Sequence, residues 1–193
     1  MKLKKLLLGI ASLALVFQMQ AANAANPKVK METSKGTMII ELYPDKAPVT
    51  VANFLAYVNA GTYDGTIFHR VIKGFMNQGG GFDTDYKKVA TKEPIKNEAD
   101  NGLKNKEFTI AMARTGQPHS ATNQFFINTS DNYALDHTGK SMRGWGYTVF
   151  GKVIEGQNIS GAISRAATGP GGPFSKDAPR TQIIITKVTE IKE

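Results

Sequence analysis

One stretch of sequence, Phe68–Gly81, decides the fold and the site of this chain, and it reads FHRVIKGFMNQGGG. Its first half is a short run of mixed polar and apolar residues, which favours a short strand, and the stretch ends in a glycine run. Arg70 supplies a permanently charged guanidinium among apolar neighbours, and Gln78 supplies a neutral amide. The stretch holds no hydroxyl or thiol nucleophile and no set of metal ligands. These residues suit a site whose chemistry breaks no covalent bond.

The flanking sequence predicts an all-β domain. Lys28–Glu32 alternates polar and apolar residues, Ser34–Gly36 suits a tight turn, and Thr37–Tyr43 continues as a second strand. Many short strands separated by Gly, Asn and Asp favour a barrel or a sandwich, and we expect one antiparallel barrel. The other strand-like runs are Thr66–Ile72, Phe75–Gln78, Glu107–Ala113, Gln124–Asn128, Thr148–Val153 and Thr181–Ile191.

Two helices are predicted between these strands. Pro48 fits the first helical position, and Gly61 suits the C-terminal stop of the first helix. Gly156–Ile163 favours a second, shorter helix. Gly169–Pro173 reads GPGGP and is interpreted as an irregular loop. The apolar face of the first helix is predicted at helical spacing, on Val51, Phe54, Leu55 and Val58.

The N-terminus has the pattern of a secretory signal peptide. Met1–Lys5 is basic, Leu6–Phe17 is mostly apolar but too short to span a bilayer, and Ala22–Ala24 forms a small-x-small cleavage box. The sequence therefore predicts a signal peptide over 1–24, one domain over 25–193 and a periplasmic or secreted location. An uncleaved anchor or a buried helix is the less favoured alternative.

Composition limits the classes of partner and cofactor. The formal charge is +8, and removing Lys2, Lys4 and Lys5 leaves +5 with no block of Lys and Arg, so no nucleic-acid partner is expected. There is no cysteine, which excludes disulfides, zinc thiolates and iron–sulfur clusters. No second apolar run follows the first, so no stable membrane insertion is expected after cleavage. We expect a monomer that needs no metal and no cofactor.

The segments Phe68–Gly80, Asn123–Ile127 (NQFFI) and Val149–Val153 (VFGKV) resemble the cyclophilin family of peptidyl-prolyl cis–trans isomerases. The resemblance covers essentially the whole chain after the signal peptide, and the signal peptide and short loops are similar to the periplasmic bacterial subtype. It implies a closed, eight-stranded antiparallel barrel capped by two α-helices. It also implies an isomerase that acts on proline-containing polypeptides during the folding of secreted proteins.

The residues themselves suit that reaction. Amide resonance imposes a barrier of roughly 18–20 kcal/mol on rotation about the peptide bond, and the twisted state frees a lone pair on the prolyl nitrogen. Arg70 is the predicted catalytic donor to that nitrogen, because it is always protonated and binds the twisted amide better than the planar one. Gln78 either holds Arg70 in position or donates to the substrate carbonyl.

The remaining site residues follow from the resemblance. It implies that Ala113 and Arg114 pair with the extended substrate through their backbone and that Gln124 lies on the groove side. Ala134 departs from the family, which commonly has Trp or Phe there, and this puts tight binding of cyclosporin-class inhibitors in doubt. The implied socket for the proline ring consists of Phe75, Met76, Phe126, Leu135 and Tyr147.

Other functions are less favoured. His119 and Ser120 are adjacent on a loop, without the Gly-x-Ser-x-Gly turn of a hydrolase. The three histidines lack metal-ligand spacing, and Gly79–Gly81 lacks the Lys-Ser/Thr of a phosphate loop, so close packing or a bend explains it better. A proline-peptide binding module or chaperone with incidental catalysis stays the alternative, and Arg70 favours the enzyme over it.

Overall fold

The structure is a computed structural model that describes residues 25–192, so the predicted signal peptide lies outside the described residues. Within this range the helices are α1 (Pro48–Asn59) and α2 (Gln157–Ser164), with short 3-10 helices at Ala99–Asn101 and Tyr133–Leu135. None of the described helices is long and apolar enough to cross a membrane. The strands are β1 (Lys28–Thr33), β2 (Gly36–Leu42), β3 (Thr66–Ile67), β4 (Arg70–Ile72), β5 (Met76–Gly79), β6 (Thr109–Met112), β7 (Phe125–Asn128), β8 (Val149–Glu155), β9 (Thr168–Gly171), β10 (Phe174–Pro179) and β11 (Ile184–Ile191).

Nine of these strands form one sheet in the order β3-β11-β1-β2-β8-β6-β7-β5-β4. Every neighbouring pair in it is antiparallel. The predicted hairpin at the start of the chain is confirmed, since β1 and β2 pair from Lys28–Glu41 to Thr33–Gly36. The all-β class with two helices is likewise found.

The prediction of a closed, eight-stranded barrel is wrong: the sheet is a strongly curled half-barrel with β3 and β4 as its edge strands. Eight antiparallel steps separate these edge strands in the sheet order, so they run in the same direction. Parallel neighbours need a connection of a dozen or more residues, whereas only Phe68 and His69 link β3 to β4. The two strands therefore follow one another end to end and cannot pair side by side.

The main core lies inside the curve of the sheet, where α1 covers it. Pro48 stands at the start of α1, as predicted, and the buried side chains of the helix include Val51, Phe54 and Val58. The ring of Phe54 packs edge-on against Phe125, with 5.8 Å between ring centroids. This aromatic packing fixes the inner side of β7 and leaves its outer side to form the site.

Two local predictions fail for reasons of tertiary packing. The run Thr66–Ile72 is not one strand, because its middle residues Phe68 and His69 leave the ladder and are buried. Gly169–Pro173 is not an irregular loop, since β9 and β10 form a separate two-stranded sheet across it. Gly171 and Gly172 of this hairpin lie against the ring of Tyr86. A larger side chain at either position would displace that ring.

Candidate active site

The register of the outer strands places the central site residues in one row. Arg70 on β4 lies opposite Gln78 on β5, and Gln78 lies opposite Phe126 on β7. Phe126 lies opposite Ala111 on β6, and Ala111 lies opposite Val149 on β8. Directly opposed residues share a face of a sheet, since side chains alternate with a period of two. A guanidinium, an amide and an aromatic ring are thus aligned across the convex face.

The alternation also separates two buried clusters. The next residue along a strand from a member of the row points to the opposite face. Val71, next to Arg70, and Ile127, next to Phe126, accordingly face the main core. A second, smaller cluster forms on the other face and consists of three members of the row, Ala111, Phe126 and Val149, together with Met76. Partly buried apolar side chains, among them Phe75, Leu135 and Tyr147, pack against it. The row therefore has an apolar floor of its own.

Above this floor lies a hollow of about 120 Å³. It contains nine of the ten residues that the sequence assigns to the site: Arg70, Phe75, Met76, Gln78, Ala113, Arg114, Phe126, Leu135 and Tyr147. The rings of Phe126 and Tyr147 meet edge to face with centroids 5.7 Å apart, which is a favoured aromatic geometry. The apolar part of the lining suits a small apolar ring, and two cations, Arg70 and Arg114, lie at its border.

Gln124, the tenth residue, lines an adjoining hollow of about 170 Å³ together with Gln78, Ala113 and Arg114. Nε2 of Gln78 donates a hydrogen bond of 2.9 Å to Oε1 of Gln124. The glycine run makes room for this pair, because a Cβ at Gly81 would lie 2.5 Å from Cδ of Gln124. The predicted close packing at the glycines is thus found in the structure.

Arg70 has a charged partner that the sequence did not reveal. Its Nε lies 3.7 Å from Oδ2 of Asp177 on β10. The side chain of Arg70 is 40% exposed and that of Asp177 is 23% exposed, so the pair sits at the edge of the hollow. Asp177 lies more than one hundred residues further along the chain, and only the missed hairpin brings it to β4.

The side chain of Arg114 contacts several backbone carbonyls. Its Nε donates to the carbonyl of Gly146 at 2.8 Å, and its Nη2 donates to that of Met142 at 3.2 Å. Its Nη1 donates to the carbonyls of Thr115 and Gly116. The guanidinium carbon also lies 4.7 Å from the ring centroid of Tyr147, a cation–π contact. Arg114 therefore ties the segment His137–Gly146 to the rim. By resemblance to the family this segment is an insertion after Asp136 in place of a short turn.

A hydrogen-bonded pair of amides, one fully buried and one half-buried, holds the socket from below. Nδ2 of Asn132 donates to the carbonyl of Phe75 at 2.7 Å and to Oδ1 of Asn128 at 2.7 Å. Asn128 in turn donates to Oγ1 of Thr109 at 2.9 Å. Asn128 is fully buried, so each of these bonds replaces one to water and fixes the position of the socket wall.

Comparison with known proteins assigns the chain. A family model described as cyclophilin type peptidyl-prolyl cis-trans isomerase/CLD matches residues 28–190. The chain belongs to this cyclophilin family. It is therefore a peptidyl-prolyl cis–trans isomerase, and proline-containing peptides are its substrates.

Bacterial relatives and a solved structure agree with this assignment. The chain is 54% identical to peptidyl-prolyl cis-trans isomerase B of Escherichia coli over 161 residues, which are 83% of this chain and 98% of the relative. It is 50% identical to peptidyl-prolyl cis-trans isomerase A of Dickeya dadantii, with 89% and 88% covered. A crystal structure of a Cryptosporidium parvum cyclophilin type isomerase, in the presence of the dipeptide Ala-Pro, aligns with a TM-score of 0.70, 27% identity, and 86% and 99% coverage. The likeness extends along nearly the whole of each relative.

His69 precedes Arg70 but is enclosed in this cyclophilin. It is 1% exposed, and its ring stacks on Phe174 with centroids 5.3 Å apart. Burial lowers the pKa of His69 to about 4, and the charge of Arg70 acts in the same direction. The imidazole is therefore neutral at neutral pH and supports the fold beside the cation.

Trp145 anchors the insertion after Asp136 and is not among the residues that line the hollow. Trp145 is buried, with its ring between those of His119 and His137 at centroid distances of 4.9 and 5.4 Å. Ala134 is exposed and borders an open depression that adjoins the socket. The rim of this cyclophilin is thus open on the side where the family commonly has an aromatic ring.

The competing hydrolase and metal sites have no geometry to support them. His119 accepts a hydrogen bond at Nδ1 from the backbone of Asn97, while the hydroxyl of Ser120 donates to the carbonyl of Gln117. Neither group is aimed at the other as a nucleophile and its base. Among residues 25–192, no three His, Cys, Asp or Glu side chains are grouped so that they could hold a metal ion.

Proposed function

We propose that this cyclophilin accelerates rotation about Xaa-Pro bonds without a covalent intermediate, and that Arg70 stabilises the twisted amide. The observation that carries the proposal is the row of Arg70, Gln78 and Phe126, which places the guanidinium of Arg70 at a hollow of about 120 Å³ with aromatic and aliphatic walls. The other arginine that lines the hollow, Arg114, already donates to the backbone carbonyls of Gly146 and Met142. A proline ring is apolar and compact, so the hollow takes the ring while the cation stays near its nitrogen.

Differential binding is the source of the rate. In the planar amide the nitrogen lone pair is delocalised, and it accepts no hydrogen bond. In the twisted state the lone pair is localised, and an N–H of Arg70 donates to it. An interaction made only in the transition state raises kcat, and the apolar walls strengthen it by excluding water.

Gln78 is assigned to the positioning of Arg70. One of its two N–H donors is committed to Gln124. Its Oε1 is an acceptor, and the guanidinium of Arg70 is the donor directly across the ladder. The positioning role uses this acceptor, and the bond to Gln124 leaves only one N–H of Gln78 for other partners. Gln124 thereby acts on Arg70 through Gln78.

In this proposal the extended substrate lies along Ala113 and Arg114. These two residues line both the hollow for the proline ring and the adjoining hollow that contains Gln124. The Ala-Pro dipeptide named for the Cryptosporidium parvum cyclophilin is consistent with a site that recognises little more than proline and its predecessor. We therefore assign this chain broad specificity for Xaa-Pro segments in unfolded polypeptides.

The N-terminal pattern over 1–24 supports a role in the folding of secreted proteins in the periplasm or outside the cell. Expression of the full chain, cell fractionation and N-terminal sequencing of the product test this. A soluble extracytoplasmic product that begins at Ala25 supports the proposal. A product that keeps residues 1–24 and stays with the membrane or the cytoplasm contradicts it.

The reaction is tested with a short Xaa-Pro peptide and three proteins: the native chain, Arg70→Ala and Arg165→Ala. Arg165 is an exposed arginine at the end of α2 and serves as the matched control. Loss of one positioned donor lowers kcat/KM about 10²- to 10³-fold in Arg70→Ala, while the control keeps its activity. Equal activity of Arg70→Ala and the native chain would remove Arg70 from the mechanism. Peptide binding without acceleration by the native chain would favour the binding module.

A further inference from the structure

We propose that Asp177 is a positioning residue for catalysis: its carboxylate holds the Nε edge of Arg70 and so aims the guanidinium at the prolyl nitrogen. The inference rests on the proposed role of Arg70. It concerns a residue on the missed hairpin and adds a charged partner to the neutral glutamine pair.

The contact joins the two segments at the edge of the sheet. Oδ2 of Asp177 lies 3.7 Å from Nε of Arg70. β4 is an edge strand whose only ladder within the described residues is to β5, so its outer side is open to the separate hairpin of β9 and β10. Asp177 therefore reaches Arg70 from the side opposite Gln78.

The hairpin is docked firmly beside Arg70. Phe174 at the start of β10 stacks on the ring of His69, the neighbour of Arg70 in sequence, at an interplanar angle of 24°. The ring of Phe174 also meets that of Phe82 edge to face, with centroids 5.1 Å apart. These contacts of a half-buried ring with two buried ones fix the distance between β10 and Arg70.

The backbone at Asp177 is shaped to present its side chain. The pairing of β10 with β9 is irregular between Phe174 and Ala178. Asp177 lies inside this irregularity with φ of 66°, in the left-handed region that few residues other than Gly, Asn and Asp adopt readily. Bulges in strands re-aim side chains and are common beside active sites. Here the bulge turns a carboxylate towards Arg70.

The chemistry of arginine explains the benefit. A guanidinium carries one N–H on Nε and four on its terminal nitrogens in a rigid plane. A carboxylate near Nε restricts rotation of that plane and leaves the terminal N–H groups for Gln78 and the prolyl nitrogen. Because misplacement by about 1 Å can cost a large factor in rate, restricting the plane favours turnover.

The test uses Asp177→Asn, which removes the charge, keeps the shape and also tolerates a positive φ. Asp85→Asn is the matched control, since Asp85 is an exposed carboxylate in a local pair with Lys87. We expect Asp177→Asn to lower kcat about three- to tenfold, with KM changed less than twofold and thermal unfolding unchanged. Asp85→Asn keeps the native constants.

A double-mutant cycle shows whether the carboxylate acts through Arg70. In the Arg70→Ala background, Asp177→Asn has no further effect on kcat if Asp177 only positions Arg70. Salt gives a second readout, because the pair is partly exposed: raising ionic strength lowers kcat of the native chain towards that of Asp177→Asn and leaves the variant unchanged.

Three results would overturn the inference: unchanged or faster turnover in Asp177→Asn, an effect confined to KM, or equal effects of Asp177→Asn with and without Arg70. Its failure is distinct from that of the proposed mechanism. If Arg70→Ala is impaired but Asp177→Asn is not, only the role of Asp177 is lost. If Arg70→Ala is fully active, both proposals fall.

Discussion

Gln78 and Gln124 are joined by a hydrogen bond of 2.9 Å from Nε2 of the first to Oε1 of the second. The bond connects β5 to the residue just before β7. Gln78 also lies opposite both Arg70 and Phe126 in the sheet. It therefore connects the cation, the socket and the groove side of the site.

Removing Gln78 should impair turnover more than removing Gln124. Gln78→Ala takes the acceptor away from Arg70, and we expect kcat/KM to fall about tenfold, mostly through kcat. Gln124→Ala frees Gln78 to reorient, and a fall of about threefold is expected. Steady-state isomerisation of an Xaa-Pro peptide measures both. A larger loss of kcat/KM in Gln124→Ala than in Gln78→Ala would show that the two glutamines contact the substrate and do not position Arg70.

The row of site residues could be predicted from the sequence because it depends on local patterns. Alternation within Phe68–Gly81 and Asn123–Ile127 determines which side chains share a face, and the resemblance supplies their roles. Nine of the assigned residues lie around one hollow. Local sequence patterns therefore predict the site residues correctly. They do not predict whether the sheet closes, because closure depends on whether strands far apart in the sequence meet.

Asp177 could not be predicted in this way. Its contact with Arg70 depends on a hairpin that begins with a Gly-Pro-rich segment, and local turn chemistry gave no sign that this segment pairs as strands. The hairpin is held by distant rings, Tyr86 under its glycines and His69 under Phe174. Tertiary packing of that kind leaves no periodic signal in sequence.

Arg114 should matter through its side chain. It donates to four carbonyl oxygens, among them those of Gly146 and Met142 in the insertion. We expect Arg114→Ala to lower the free energy of unfolding by about 1–2 kcal/mol, since bonds from a charged donor are worth more than neutral ones but this group is partly exposed. Urea unfolding measures the loss, with Arg165→Ala as the control.

The same variant should also loosen the insertion. Lys140 and Arg143 lie within it, so brief trypsin treatment cleaves Arg114→Ala faster there than the native chain. Unchanged cleavage and unchanged stability would show that the side chain of Arg114 does not stabilise the rim.

The buried amides beneath the socket should be essential to stability. Asn128→Ala leaves Oγ1 of Thr109 and Nδ2 of Asn132 without a shared partner. We expect a loss of about 1–3 kcal/mol in urea unfolding, because both groups lose a hydrogen bond in the interior and each keeps one other, to the carbonyl of Lys106 and to that of Phe75. Asn158→Ala, at an exposed position of α2, is the control and should change stability by less than about 0.5 kcal/mol.

Restoring an aromatic ring at Ala134 should alter ligand binding but not catalysis. Ala134 is exposed beside Leu135 and Tyr147, at an open depression of the rim. We expect Ala134→Trp to tighten binding of a cyclosporin-class inhibitor at least tenfold, because a Trp at a rim buries a large apolar area. Peptide turnover should stay within threefold of native, and Ala134→Ser is the control. Tight binding by the native chain would show that the ring is dispensable.

His69 makes stability depend on pH in a defined window. Its pKa is about 4 in the folded chain, chiefly because burial disfavours the charged form, against 6.5 as the ordinary value. Between pH 6.5 and pH 4 the imidazole of His69 binds a proton in the unfolded chain but not in the folded chain. The free energy of unfolding therefore falls as pH decreases from about 6.5 to about 4. The full difference is about 3 kcal/mol from this group.

Urea unfolding at pH 7 and pH 5 measures this effect, and His69→Gln supplies the comparison because Gln is neutral at both pH values. The native chain should lose about 2 kcal/mol more than the variant between these two pH values. Peptide turnover should stay nearly constant from pH 6 to 8, because Arg70 remains charged and His69 remains neutral throughout. A step in kcat within that range that His69→Gln abolishes would show that His69 titrates there and that its burial is incomplete in solution.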